Sequence, residues 1–226
     1  MNRYTFKTLP FNVEKDFDPV IMIGTSPMML AASLQSHTST LSELIAKAKA
    51  QPGKLSFGTS SAKNIPHSTG ELLKTKAGID IVHISYRNNS QIVADAISGT
   101  VQLMIDGLPV IMPQVRNKAL VPLAVSSLKR LPGLEDVPAI AETYPGFEVT
   151  GWFALLVPHG TPNSIIEKLN QTTKVVLQKP EIIERMRDLG VYWDPDNTTP
   201  AQLKEYIRAQ SELFGSIARA AKMIAE

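Results

Sequence analysis

The chain has 226 residues, of which 43% are apolar; that is enough to bury the core of one large domain or two small ones, and it excludes a disordered chain. Twenty-three basic against 21 acidic side chains leave a formal net charge of +2, too small and too evenly spread for a nucleic-acid or membrane surface, so the expected partner is a small molecule or another protein. With no cysteine, disulfides, thiolate nucleophiles and Cys-ligated zinc are excluded.

From Met1 to Phe17 there is no apolar run of the ~7 to 15 residues that a signal peptide requires, and no stretch approaches the ~20 apolar residues of a membrane span. The chain as written is therefore expected to stay in the compartment where it is made. Short β-branched apolar segments then alternate with amphipathic ones, the pattern of an α/β protein with a mainly parallel sheet. Strands are predicted at residues 18–24, 28–33, 54–59, 81–86, 101–106, 121–127 and 149–157. Leu41, Leu44, Ile45 and Ala48 share one helical face, headed by Thr40 and Glu43 at capping-box spacing and ended before Pro52-Gly53. Helices from about His67 to Lys76 and from about Ser90 to Ile97 stop at Gly78 and Gly99, where glycine accepts the left-handed conformation. Strand ends and the following helix starts then share one sheet edge, where open α/β folds place ligands. The loops 59–66, 86–89, 106–109 and 126–130 are the expected ligand-facing set. Beyond Gly151, Thr161-Pro162 and Thr199-Pro200 each predict an N-cap followed by proline at the first helical position, and Gly190 ends a helix begun at Pro180. These helices lack an obvious sheet to cover.

The loop from Gly58 to His67 offers hydroxyls, an amide, a cation and backbone N–H groups at a helix start, a place that suits an anion; its plainer reading is a polar turn that caps the helix. Tyr86 and Arg87 close a strand and offer a phenol and a guanidinium to a carboxylate, or else are a strand-end aromatic beside a solvated arginine. Asp106 ends an apolar strand, where its carboxylate needs water, loop N–H groups or a ligand's amine or hydroxyl. Ser60, His67 and Asp106 suggest a hydrolase, but there is no Gly-x-Ser-x-Gly elbow and His67 falls inside the helix. His37, His83 and His159 have no paired metal-ligand spacing, so no metal or other cofactor is expected.

From end to end the chain resembles the solute receptors of tripartite tricarboxylate transporters, the Bordetella uptake gene (Bug) family. Residues 11–20 (FNVEKDFDPV) are similar to the stretch leading into that family's second domain, and 50–57 (AQPGKLSF) to its "KAxPGxLxY" segment. His67 to Leu73 resembles "HLxGELF", Ala77 to Arg87 "AGxxxxHVPYKG", and Gly99 to Asp106 "GGxVxxMFD". Leu120 to Ser127, Leu134 to Glu142 and Gly151 to Phe153 are similar to "LRALAVTS", "LPDVPTxAE" and "SWFG". Two departures are visible. The cradle "SSGxGT" is here Thr59 to Asn64 (TSSAKN), and the family's export signal, first strand and first ligand loop have no counterpart before Met1.

The resemblance implies a type II periplasmic-binding-protein fold, α/β, with one complete lobe and the C-terminal part of the other: residues 1–16 a remnant of lobe one and hinge, 17–149 lobe two, and 150–226 the mainly helical remainder of lobe one, whose helices run from 162 to 224. It implies a non-enzymatic, periplasmic receptor that closes on a dicarboxylate, tricarboxylate, amino acid or aromatic acid and passes it to membrane permease subunits or reports to a sensor. Carried onto this chain, Thr59, Ser60, Ser61 and Asn64 are expected to donate hydrogen bonds, Tyr86 and Arg87 to contact the far end of the solute, and Asp106 and Ser126 to orient it. The alternative is a non-binding truncated remnant or interaction module that associates through exposed lobe-one helices.

Overall fold

A computed structural model describes residues 10–221, so residues 1–9 of the expected N-terminal remnant and 222–224 of the last helix lie outside the described residues. The chain divides into two compact units, residues 27–150 and residues 1–26 with 151–226.

In the first of these, strand β1 (Phe17–Ser33) contributes its second half, residues 28–33, all buried. Helix α2 (Leu41–Ala50) follows a short helix α1 (Val13–Asp16) in chain order and buries the predicted face of Leu41, Leu44, Ile45 and Ala48. Its cap closes from both sides: the Thr40 side chain accepts from Glu43 N–H, and the Glu43 carboxylate accepts from Ser39 N–H at 2.7 Å. Then come β2 (Ser56–Thr59), α3 (Ile65–Ala77), β3 (Val82–Ser85), α4 (Asn89–Ser98), β4 (Leu103–Gly107), α5 (Leu108–Arg116) and β5 (Leu120–Val125). Gly78 and Gly99 end α3 and α4 at φ of 61° and 85°, as their sequence positions predict.

The sheet order is β3-β2-β4-β1-β5. Strand β2 is parallel to β3 and β4, but β1 runs antiparallel to both β4 and β5. The expected mainly parallel sheet is therefore a mixed one. A helical crossover fixes the relative direction of the strands it joins, as α5 does for β4 and β5, yet it leaves open what lies between them. Here β1 fills that gap in the opposite direction. The helix α5 was not anticipated, because Pro109 and Pro113 interrupt its pattern; Pro109 sits in its first turn, where a missing N–H costs nothing.

The other unit holds the first half of β1 paired with β6 (Thr150–Pro158), together with α6 (Asn163–Leu177), α7 (Pro180–Asp188) and α8 (Pro200–Ala220). Val20 and Ile21 of β1 pack with Ile166 and Leu177 of α6, and Leu155, Val157, Ile182, Met186 and Trp193 complete the cluster. These C-terminal helices thus do have a sheet to cover. Residues 17–26, expected in lobe two, fall in this unit; the predicted strands 18–24 and 28–33 are in fact one continuous strand that contributes to both units. Thr199 and Gln202 form the capping box of α8, whereas α6 takes Pro162 as its N-cap and the Thr161 hydroxyl turns back to the Pro158 carbonyl. Among the described residues no helix is long and apolar enough to cross a membrane.

Helix α3 lies flat on the fully buried Phe57 ring because Gly70 has no side chain there; a Cβ at that position would overlap the Phe57 ring. Gly70→Ala is expected to lower the unfolding free energy by about 1–3 kcal/mol, the usual cost of overpacking, despite alanine's better helix propensity. Urea unfolding measures it.

Candidate functional site

Pairing of Thr59 with Ser85, Gly58 with Met104 and Gly107 with Met28 puts the C-terminal ends of β2, β3 and β4 at one sheet edge, together with the start of the buried half of β1. The residue after β5, Ser126, is tied to that same edge through Met28. The four loops singled out in the sequence therefore do converge on one edge of one unit.

Their side chains are not equally available. Thr59 is fully buried, and its hydroxyl donates to the Ser61 carbonyl at 2.8 Å while contacting His83 Nε2 at 2.8 Å. Ser126 is also fully buried; its hydroxyl accepts from Met28 N–H at 2.8 Å and donates to the Val149 carbonyl at 2.6 Å. The Tyr86 ring packs against Gly58, and its hydroxyl donates to Asp95 at 2.8 Å; burial, with Asp95 adding to it, pushes that phenol up to about 12. The structure thus gives Thr59, Ser126 and Tyr86 internal hydrogen-bond partners. A residue type and a loop position are visible in sequence, but the partner that consumes a hydroxyl is set by which strands become neighbours.

Ser60, Ser61, Asn64, Arg87 and Asp106 remain. Asn64 is the N-cap of α3: its Oδ1 accepts from His67 N–H at 2.9 Å, and its Nδ2 donates to Ser60 Oγ at 3.3 Å. Ser61 is exposed and its hydroxyl donates to the Ala62 carbonyl. Arg87 is exposed. Asp106 is 8% exposed; Oδ1 accepts from Gly107 N–H at 2.7 Å, while Oδ2 is buried with no hydrogen-bond partner. Burial raises the Asp106 carboxyl above the ordinary range, opposed by the Gly107 N–H and by the nearby Ser60 hydroxyl. At the longer reach of electrostatics Ser60 does touch this carboxylate, but no hydrogen bond of proper geometry reaches Oδ2.

A hydrolytic triad is not assembled. His67 Nδ1 accepts from Lys63 N–H at 3.0 Å and Nε2 lies 3.7 Å from Glu71, so no imidazole is placed to take a proton from Ser60. Nor do the described residues gather three or more His, Asp or Glu side chains into a metal site.

A family profile described as "Tripartite tricarboxylate transporter family receptor" matches residues 1–223. The chain belongs to that family. This receptor-family chain is 33% identical over 193 residues to the "UPF0065 protein in tcbD-tcbE intergenic region" of Pseudomonas sp. (strain P51), covering 84% of this chain and 57% of that protein. To BugT of Bordetella pertussis it is 30% identical over 213 residues, 94% of this chain and 65% of BugT. It therefore spans less than two thirds of the length of these curated relatives. Among solved structures, R. palustris Rpa4515 with adipate superposes with a TM-score of 0.81 at 31% identity, covering 99% of this chain and 74% of that one. The fold is thus the α/β periplasmic-binding-protein fold, and the family is one of receptors rather than enzymes.

Sequence reasoning set aside one group at this edge, the pair His67 and His83. Their rings stack at 3.7 Å with an interplanar angle of 11°, and Phe57 lies 4.9 Å from His83. They stand on different elements, α3 and β3, so no sequence spacing could have paired them. Burial and the neighbouring His67 lower His83 from the ordinary 6.5 to about 4, with Glu71 opposing. Because the folded value lies below the unfolded one, His83 contributes stability that is complete above about pH 6.5 and is lost as pH falls toward 4. Urea midpoints of the wild type should drop across that window, and the drop should be smaller in His83→Gln. A separate check concerns Ser126: Ser126→Ala leaves the buried Met28 N–H and Val149 carbonyl unpaired and should cost about 1–3 kcal/mol of unfolding free energy.

Proposed function

We propose that this chain is the solute-binding part of a periplasmic receptor for a small carboxylated metabolite, one that feeds the membrane permease subunits of a tripartite tricarboxylate transporter or a sensor. The observation that carries the reading is Asp106: a buried carboxylate with Oδ2 unpartnered, beside Ser60, at the ligand edge of an α/β sheet. A buried polar atom without a partner is costly, and a solute hydroxyl, amine or protonated carboxyl would satisfy it. Ser60, Ser61 and Asn64 at the start of α3 then offer donors to a solute carboxylate, helped by the positive end of the helix. Arg87 supplies a guanidinium for the far end of a dicarboxylate or tricarboxylate. Thr59, Tyr86 and Ser126 hold the loops in place from below. Receptors of this family are periplasmic, and the similar structure is that of Rpa4515 with adipate, which favours a dicarboxylate as the first solute to try; amino acids and aromatic acids remain in the same class.

A second reading has one observation in its favour. Ile165, Val175 and Val176 on α6 are 48%, 61% and 41% exposed, as an interaction module that pairs through its helices would require. The oligomeric state measured by sedimentation separates the two, since a solute receptor needs no partner copy.

A thermal-shift titration against mono-, di- and tricarboxylates tests the receptor reading, because a ligand that binds the native state raises the melting temperature with concentration. One acid is expected to give a saturable rise, and Asp106→Asn, which turns an acceptor pair into an acceptor and a donor, is expected to reduce its affinity about tenfold or more. A cooperative transition that no acid moves would leave the remnant reading standing.

A further inference from the structure

The cradle loop between β2 and α3 is held by the stacked histidines, and only one of the two bonds involved survives a proton. Thr59 has a single hydroxyl hydrogen, and it goes to the Ser61 carbonyl; the 2.8 Å contact with His83 is therefore an Nε2–H donating to Thr59 Oγ1. That donation is the same whether His83 is neutral or charged. The bond between Lys63 and His67 is of the opposite kind. Lys63 N–H donates to His67 Nδ1 at 3.0 Å, so this nitrogen must be unprotonated.

What the Lys63 bond holds is a strained piece of chain. Lys63 has a φ of 62°, in the left-handed region that a residue with a Cβ adopts reluctantly. Asn64, next along, both caps α3 through His67 N–H and reaches back to Ser60. His67 thus closes a ring of contacts around Ser60, Ser61 and Asn64. The ring of His67 has little freedom to turn away, because His83 stacks on one face at 3.7 Å and Phe57 lies at 6.3 Å.

The charged groups around the pair come from two elements. Glu71 and Lys74 of α3 lie on the His67 side, with Glu71 Oε1 3.7 Å from His67 Nε2 and 3.0 Å from Lys74 Nζ. Burial works to raise the Glu71 carboxyl, but the neighbouring His67 and the hydrogen bond from Lys74 outweigh it and lower it. From β3 comes His83 itself, and β2 contributes Phe57 and Thr59, neither of which titrates in this range. Glu71 is thus the negative group beside His67, and Lys74 and the positive end of α3 are the positive ones on the same helix.

We propose that His67 is a positioning residue for the cradle, and that its protonation breaks the Lys63 bond, loosens residues 60–64 and so couples the holding of a carboxylate to pH. The inference rests on the cradle being the solute site, as proposed above, but its first test does not.

Amide hydrogen exchange of Lys63, expressed relative to its unstructured rate at each pH, should show protection that falls about tenfold between pH 7.5 and 5 in the wild type, the loss of one hydrogen bond. His67→Asn places an amide oxygen near the Nδ1 position without a titrating group, and should keep protection constant across the range. His67→Leu offers no acceptor and should be unprotected throughout. Far-ultraviolet circular dichroism on each variant establishes that α3 is intact. The second measurement is the affinity for adipate at the two pH values: the wild type should weaken several-fold at pH 5, His67→Asn should not, and His67→Leu should be weak at both. Lys63 protection that is flat with pH in the wild type, or that falls equally in His67→Asn, overturns the switch. Protection that behaves as expected in a chain that binds adipate at no pH supports the switch and counts instead against the receptor reading with this probe.

Discussion

Strand β1 is the element on which both halves of this chain depend. Over residues 17–24 it carries Val20 and Ile21 into the cluster under α6, and over 28–33 it lies between β4 and β5. This single strand of 17 residues contributes to both units. Because it runs antiparallel to β4 and β5 while β2 is parallel to β3 and β4, the sheet is mixed. Burial follows the same logic: residues 27–33 are all buried in a strand with β4 and β5 on either side.

At the edge where the C-terminal ends of β2, β3 and β4 meet, the division of labour is decided by accessibility. Hydroxyls at or just past the ends of strands, Thr59 and Ser126, become ties between segments distant in sequence, to His83 and Val149. Side chains further along the loops, Ser60, Ser61, Asn64 and Arg87, are less buried, and the bonds of Ser60, Ser61 and Asn64 are local ones within the turn. Asp106 is the exception, a strand-end group whose second oxygen finds no tie. In a protein interior such an atom is expensive, and its retention at the sheet edge is physically intelligible if something from outside the chain completes it. In the turn that follows β2, Lys63 occupies a left-handed position, and its N–H donates to His67 Nδ1.

Much of this was determined by the sequence alone. The capped helices, the glycine stops at Gly78 and Gly99, the strand-loop-helix rhythm and the family resemblance all depend on residues within a few positions of one another, where local chemistry decides the conformation. The loops that converge on one sheet edge were legible for the same reason, since strand ends and helix starts are local events. What only the tertiary structure decided is which of those local pieces meet. The direction of β1, the sheet beneath the C-terminal helices, the occupation of the Thr59, Tyr86 and Ser126 hydroxyls and the stacking of His67 on His83 each join residues from separate elements, and pairing across a sheet leaves no periodicity in the chain. The sequence names the chemical groups; long-range pairing determines which of them are used up inside the fold and which are left to meet a ligand.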